Sequence, residues 1–528
     1  MDVSGFSRRL LVVAAVILLP FLGFLASHRY PVWRPEVMAA VALLLLSAAL
    51  LAWVGRGRAF YAVVLLCGCV LSAEPLRRTL SPVAGFSRPA ALVGLALLAG
   101  GLALALRERF FALVVAFAGG MFAAHCALVL GRPPLPAVQA AGPPRRPLDH
   151  VLFLVLDEHC GPAGLPQDIP ACRRAAGAIE RTFLRHGFRL YPNAFSNYAG
   201  TVSSVPSLLN GRLLARRGEF SNNELPDFFG VTHLEARPFF ESHRKRGYRI
   251  LVLQDRRISF ARTSAPSEVI EYSSELESFS EARLPWTEKF AVLVGAYQAS
   301  DELRASWKGF FPGFRFGART LAPLAAPPDW PAWLANRLEH APERTLVFAH
   351  LLVSHAPYLR RSNGEIRRIG QWRNDQKYEP ADRETYRDRY ARYAEQIEYV
   401  QSRLDELFSR LTRSGALERM TVVVAGDHGP RLRLRRPGQY GGSADPERYD
   451  YRAAPPLEDL LDRFSALLAI RKPGLAPGRD HRKASLLEIL SETLHKRKPT
   501  DETSLVFLFD RDGRPIGVPI VALWRERL

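Results

Sequence analysis

The sequence predicts an α/β protein: an N-terminal domain of five transmembrane helices, then an α/β/α domain with a mainly parallel sheet. Three observations carry this. Residues 1–131 hold five apolar stretches, at about 10–27, 36–54, 59–76, 89–106 and 111–130, each close to the ~17–25 residues that cross a hydrocarbon core. After residue 147, short aliphatic runs alternate with helical patterns. Two of those runs end in ligand-type side chains: 151–156 in Asp157-Glu158, and 421–426 in Asp427-His428. Functional groups of a parallel sheet gather at the carboxyl ends of its strands, so the two runs read as two halves of one site.

The chain's 528 residues leave room for several domains. The expected boundaries are a membrane domain over 1–131, a Pro-rich tether over 132–147 and a catalytic domain over 148–528. The first stretch carries Arg8 and Arg9 like a signal peptide, but further spans follow Leu25-Ala-Ser27, so retention is expected. The short loops carry Arg29 and Arg34, then Arg56 and Arg58, then Arg77, Arg78 and Arg88, then Arg107 and Arg109. With Arg8 and Arg9 the two sides nearly balance, so loop charge sets no orientation. An odd number of spans places the two termini on opposite sides.

The net charge of +19 falls mostly after residue 131, in clusters such as Arg431 to Arg436 and Arg360-Arg361. Such a field suits anionic lipid headgroups or phosphorylated glycans. No nucleic-acid motif accompanies it, so nucleic acid is not an expected partner. Of the five cysteines, Cys67, Cys69 and Cys126 fall in predicted spans. Cys160 and Cys172 are left open, as a pair in an oxidising compartment or as two free thiols.

Taken in order, the tether at 132–147 has no periodicity. A strand follows at about 150–156, then a helix near 171–186. A helix opens just after Thr201 and runs to Asn210-Gly211, where the glycine is a C-cap. Phe239 to Arg246 reads as a helix and Tyr248 to Leu253 as a strand. Residues 273–340, aromatic and Pro-containing, read as an irregular cap inserted over the site. Thr345 to Val353 is a strand. Tyr386 to Arg413 is a long amphipathic helix with Ile397, Val400, Leu404, Leu407 and Leu411 at helical spacing. It leads into the strand that ends at Asp427. Phe464 to Ile470 reads as another strand, and Leu505 to Phe509 with Val518 to Leu523 as a terminal hairpin.

A hydroxyl is a weak nucleophile near neutral pH and needs a base or a metal before it attacks phosphorus or sulfur. Carboxylates with one imidazole suit zinc or manganese in that role. Asp157, Glu158, Asp427 and His428 supply such a set, and Thr201, preceded by Gly200, supplies the hydroxyl. If Thr201 opens a helix, backbone N–H groups and the helix dipole face the anion under attack.

These segments resemble the sulfatase and phosphoethanolamine-transferase branch of the alkaline phosphatase superfamily. Residues 151–158 are similar to its first metal strand, and Ala425-Gly-Asp427-His428-Gly429 to its second. Asn193, Thr201 eight positions on, and Gly211-Arg212 resemble the sulfatase signature around its nucleophile. The Thr-x-x-Ser-x-Pro pattern of the phosphoethanolamine transferases also selects Thr201, through Ser204 and Pro206. Ser354-His355-Ala-Pro-Tyr358 is similar to the substrate-side histidine segment. The formylglycine sulfatases differ: they oxidise a Cys or Ser and place an Arg four positions later, where this chain has Thr201 and Val205.

The resemblance implies an alkaline-phosphatase-like α/β/α catalytic domain and a membrane-anchored, metal-dependent transferase or hydrolase. It implies Thr201 and His355 as catalytic residues, His355 as general acid or substrate contact. Asp157, Asp427 and His428 would hold the metal with Thr201, and Glu158 is either a further ligand or a strand-end carboxylate. Asn193 and Arg431 are the substrate-side candidates, Asn193 chiefly as a support of its turn. His350 reads as a core residue. The cofactor is a divalent metal, zinc or manganese foremost, with calcium or magnesium as alternatives. The implied partners are a membrane phospholipid and an envelope glycan or lipid, and the implied place is a bacterial inner membrane with a periplasmic catalytic domain. The leading activity is movement of a phospholipid-derived headgroup through a phospho-Thr intermediate. A sulfatase or phosphodiesterase and a non-catalytic envelope scaffold are the alternatives.

Overall fold

The computed structural model describes residues 3–28, 30–54, 149–221, 232–255, 258–260, 266–272, 276–299, 329–341, 344–372, 383–433, 456–495 and 501–525. The third to fifth predicted spans, the tether, Cys67, Cys69, Cys126, Arg435 and Arg436 lie outside these. The described helices are α1 (Val3–Ser27), α2 (Pro35–Val54), α3 (Pro170–Arg185), α4 (Thr201–Asn210), α5 (Arg237–Lys245), α6 (Leu276–Glu281), α7 (Trp286–Ala299), α8 (Trp330–Glu339), α9 (Ile369–Trp372), α10 (Arg383–Arg413), α11 (Leu457–Phe464), α12 (Leu486–His495) and α13 (Ile520–Arg525). By contact the chain forms two units, one of residues 1–136 and 276–323, the other of 137–275 and 324–528.

In the first unit α1 and α2 pack together, and Arg9 Nε donates to Ala52 O at 2.9 Å. Among the described residues α2 is the helix long and apolar enough to cross a membrane. It leaves Leu43, Leu46, Leu50 and Trp53 exposed. The apolar stretches at 10–27 and 36–54 are therefore helical as expected.

The second unit is built on an eight-stranded sheet. Its strands are β1 (Val151–Leu156), β2 (Arg189–Leu190), β4 (Arg249–Asp255), β6 (Glu268–Tyr272), β7 (Thr345–Leu351), β8 (Thr421–Gly426), β9 (Leu468–Arg471) and β10 (Gly478–Arg479), in the order β10-β2-β9-β8-β1-β7-β4-β6. From β8 to β6 every pairing is parallel, and β9 alone runs antiparallel to its neighbours β2 and β8. Short strands β3 (Thr232–His233) and β5 (Ile258–Ser259) pair separately, as do β11 (Val506–Phe509) and β12 (Pro515–Val518).

The central strands read VLFLVL, TLVFAHL and TVVVAG because both faces are covered. On one face Phe153, Val155, Phe348, Val423 and Ala425 pack on Val205 and Leu209 of α4, Phe240 of α5 and Ile489 of α12. Strand alternation sends Leu152, Leu154, Val422 and Val424 to the other face, where they are equally buried. Helix α10 packs against α3 and α8, and Ile397, Val400, Leu404, Leu407 and Leu411 are fully buried. Each such side chain contributes about 1.5–3 kcal/mol.

Gly426 closes β8 where the chain after β1 passes closest. A Cβ there would lie 1.9 Å from His159 O and 3.1 Å from Leu467 N, both backbone atoms. Neither can yield without moving the strand ends. Gly426→Ala is expected to lower stability by at least ~2 kcal/mol and to displace Asp427; a thermal melt with metal titration reads both.

The structure corrects several expectations. Phe464 ends helix α11, and the strand is Leu468–Arg471. Leu457, Leu460 and Phe464 share one buried helix face there, which a short apolar run does not reveal. The hairpin's second strand is Pro515–Val518 and not 518–523; past Pro519 the chain turns helical as α13. Residues 273–340 are not irregular where described: α6, α7 and α8 occupy them. Residues 276–323 group with α1 and α2, and only α8 joins the catalytic unit.

Candidate active site

Parallel register assembles the site. Leu156 of β1 pairs with Gly426 of β8 and Val155 with His350 of β7. Asp157 and Asp427 therefore leave neighbouring strands side by side, with His350 on the next strand facing the same way. Opposite them α4 begins. Gly200 is its N-cap in extended conformation, and Ser203 and Ser204 N–H groups bond back to Gly200 O. Thr201 is thus the first helical residue. Its Oγ1 lies 3.4 Å from Asp157 Oδ2 and 3.3 Å from His428 Nε2. The first N–H groups of a helix have no intrahelical partner, so α4 turns a donor-rich end toward the carboxylates. Gly211 takes φ 66° and ends the helix, as its C-cap role requires.

Glu158 and Arg431 lock the rim. Arg431 Nη2 is 2.5 Å from Glu158 Oε1, and its Nη1 donates to Ala199 O at 3.1 Å. Both residues have left-handed backbones, φ 61° and 58°, and they are the described non-glycine residues with positive φ. Each such conformation costs about 1–3 kcal/mol. The strain falls on both partners of one buried ion pair that ties the first strand end to the nucleophile turn. Glu158 Oε2 also accepts Ala356 N–H at 3.2 Å, and His355 Nε2 is 3.5 Å from Oε1.

The donor set fits a divalent metal. Ligand atoms of Asp157, His350 and Asp427, and of Asp157, Glu158 and His428, gather within 4.8 Å of one another, all buried. His428 Nδ1 donates to Gly429 O at 2.9 Å, which leaves the Nε2 lone pair to face Asp427 Oδ2 at 3.3 Å. That is the arrangement that orients a ligating imidazole. Asp427 Oδ1 takes the N–H groups of Glu158 and His428, while Oδ2 is buried without a hydrogen bond. Burial, and then the Asp157 carboxylate, push Asp427 well above the ordinary carboxylate range. Burial pushes His350 down, toward the neutral form that binds metals. Two buried carboxylates resist joint ionisation unless a cation compensates them.

Residues 327–454 match the Sulfatase family model. The chain therefore contains a segment similar to the Sulfatase family. The matched segment contains His350, His355, Asp427, His428 and Arg431 but stops short of Asp157, Glu158 and Thr201, which the sheet register brings to it. No curated protein matches the sequence. Solved structures similar to it include the C-terminal periplasmic domain of EcEptC from Escherichia coli in complex with Zn (12% identity, 67% of this chain and 82% of that one, TM-score 0.35). The lipoteichoic acid synthase LtaP from Listeria monocytogenes aligns at 13% identity, 69% and 78% coverage and TM-score 0.35. The putative sulfatase yidJ from Bacteroides fragilis aligns at 12% identity, 71% and 84% coverage and TM-score 0.40. Likenesses this loose assign no role to any residue.

Among the described residues the expected ones do not all meet. Asp157, Glu158, Thr201, Asp427 and His428 converge, with His355 and Arg431 at Glu158. Asn193 does not join them: its Nδ2 donates to His481 O at 2.7 Å and holds its turn. Arg433 turns its Nε to Tyr386 OH at 2.8 Å. Cys160 and Cys172 are free thiols, and burial pushes the Cys160 thiol up to about 12. His350 is the core residue expected, fully buried, and its Nε2 also lies 3.5 Å from Asp157 Oδ2. Its place one residue before the end of β7 was the available signal.

Three further residues support the site, and of these only Ser354 fell within a segment the sequence singled out for the site. Ser354 Oγ donates to Asp157 O at 2.7 Å, and Tyr393 OH donates to Glu158 O at 2.7 Å while accepting Cys160 N–H at 2.9 Å. Asp462 accepts the N–H groups of Leu432 at 3.0 Å and Arg433 at 2.7 Å, and the hydroxyl of Tyr390. It thereby holds the loop in which Arg431 is left-handed. Asp462→Asn replaces one acceptor by an amide donor facing an N–H or O–H, and should cost about 1–3 kcal/mol. Denaturant melts, with activity measured below the transition, check this.

Proposed function

We propose that this chain is a membrane-anchored, metal-dependent phosphotransferase that moves a phospholipid-derived headgroup to an envelope glycan or lipid through a phospho-Thr201 intermediate. The observation that carries the reading is the nucleophile: a threonine hydroxyl at the first residue of α4, 3.4 Å from Asp157 and 3.3 Å from His428. A threonine cannot become formylglycine, which weighs against sulfate-ester cleavage by that route. Asp157, Asp427 and His428, with Glu158 or His350 beside them, would hold a divalent metal, which would lower the pKa of the Thr201 hydroxyl and offset phosphoryl charge. Zinc or manganese suits this carboxylate–imidazole set best.

Thr201 Oγ1, its proton released to solvent, attacks the headgroup phosphorus, the new P–O bond forms, and the bond to the diacylglycerol oxygen breaks. The headgroup phosphate stays on Thr201 until an acceptor hydroxyl, or water, displaces it. N–H groups at the α4 terminus hold the phosphoryl oxygens, and His355, a fifth exposed at its side chain, serves as the acid that protonates the leaving oxygen. Arg431 serves the site by positioning, since its guanidinium is engaged by Glu158 and Ala199. An apolar α2 with exposed leucines supports a membrane anchor, and lipid donors processed without ATP favour a periplasmic domain.

The test compares substrates for the full chain in vesicles with headgroup-labelled phospholipid and with a soluble aryl sulfate. Release of diacylglycerol with label passing to an acceptor or to water is the expected result. Rapid aryl sulfate hydrolysis with no reaction on lipid overturns the reading.

A further inference from the structure

Helix α7 belongs in sequence to the catalytic half of the chain, between β6 and α8, yet it packs against α2. It buries Val292, Leu293 and Ala296. Its Tyr297 ring lies 5.1 Å from Phe21 and 5.3 Å from Phe24 of α1. Those phenylalanines stand in the last two turns of α1, so the C-terminal end of α7 borders residues 28–34. With 14 residues, α7 is about 21 Å long, too short for a hydrocarbon core of ~30 Å.

Trp286 is 53% exposed at the start of α7, and Trp33, in the segment that Tyr297 adjoins, is 75% exposed. Exposed tryptophans are costly in water and favoured at the headgroup level. The apolar surface continues along α2 through Leu43, Leu46 and Leu50. Between Trp286 and the apolar run stand Glu288 and Lys289, and Lys289 Nζ donates to Ser280 O at 2.8 Å, which turns the charged end of the helix toward α6.

We infer that α7 is a lipid-binding helix: the catalytic half of the chain returns residues 276–299 to the membrane, where α7 lies at the interface on the side of residues 28–34, against phospholipid. The inference rests on reading α2 as a membrane span. It holds the chain to the bilayer at a second point.

Photocrosslinking of the full chain in phosphatidylethanolamine–phosphatidylglycerol vesicles tests this. Benzoylphenylalanine replaces Trp286, Ala291 or, as a reference on α2, Leu46; all three are exposed. After irradiation, peptides carrying position 286 or 291 should gain the mass of one phospholipid, as the Leu46 peptide does. Lipid adducts at 46 with none at 286 and 291, or adducts from those positions to protein, overturn the inference and leave the span intact. No lipid adduct at 46 overturns the span reading of α2 and the inference with it.

Discussion

Thr201→Ala abolishes turnover while leaving the domain folded. Removal of a covalent nucleophile lowers kcat by as much as about 10^6-fold. The structural cost is small: the hydroxyl's contacts are long, 3.3 and 3.4 Å, and alanine is the better helix former. A change of about 1 kcal/mol or less in unfolding free energy is expected. Thr201→Ser keeps an oxygen at the same position and should retain measurable activity. Full activity in the alanine variant with metal still bound would exclude the covalent route.

Chelation and Asp427→Asn have the second-largest effect, and they separate metal binding from folding. A metal present at a thousandfold its dissociation constant adds ~4 kcal/mol of stability, so chelation should lower the melting temperature and stop turnover together. Restored divalent metal should reverse both. In Asp427→Asn the amide replaces a carboxyl group whose pKa burial and Asp157 push above the usual carboxylate range. That variant should be inactive, indifferent to chelator, and more stable than the metal-stripped parent. A variant that still binds one equivalent of metal with parental affinity would remove Asp427 from the ligand set.

Much of this site was legible because its chemistry sits at strand ends. Apolar runs of six residues announced β1 and β8, and the side chains ending them could not be core. Thr201 was found twice over by spacing, and Gly211 marked the end of its helix. What escaped depends on tertiary register or on distant packing. His350 looked like filling because β7 is buried along its whole length; only its pairing with Val155 puts it beside Asp157. Tyr393 and Asp462 act from helices far along the chain, on backbone groups that no local pattern identifies. Helix α7 was taken for part of an irregular cap because aromatic and proline residues surround it, and its burial against α2 is a contact between sequence-distant segments. Phe464 shows the same limit on a smaller scale, since a short apolar run fits a strand and a buried helix end equally.

The most direct measurement is the mass of the Thr201 peptide after the metal-loaded chain has been incubated with membranes and quenched in acid. A threonine carrying a headgroup phosphate is the predicted species, absent from Thr201→Ala and lost when acceptor is added before the quench. Unmodified Thr201 throughout turnover, or an adduct on another residue, would contradict the covalent mechanism.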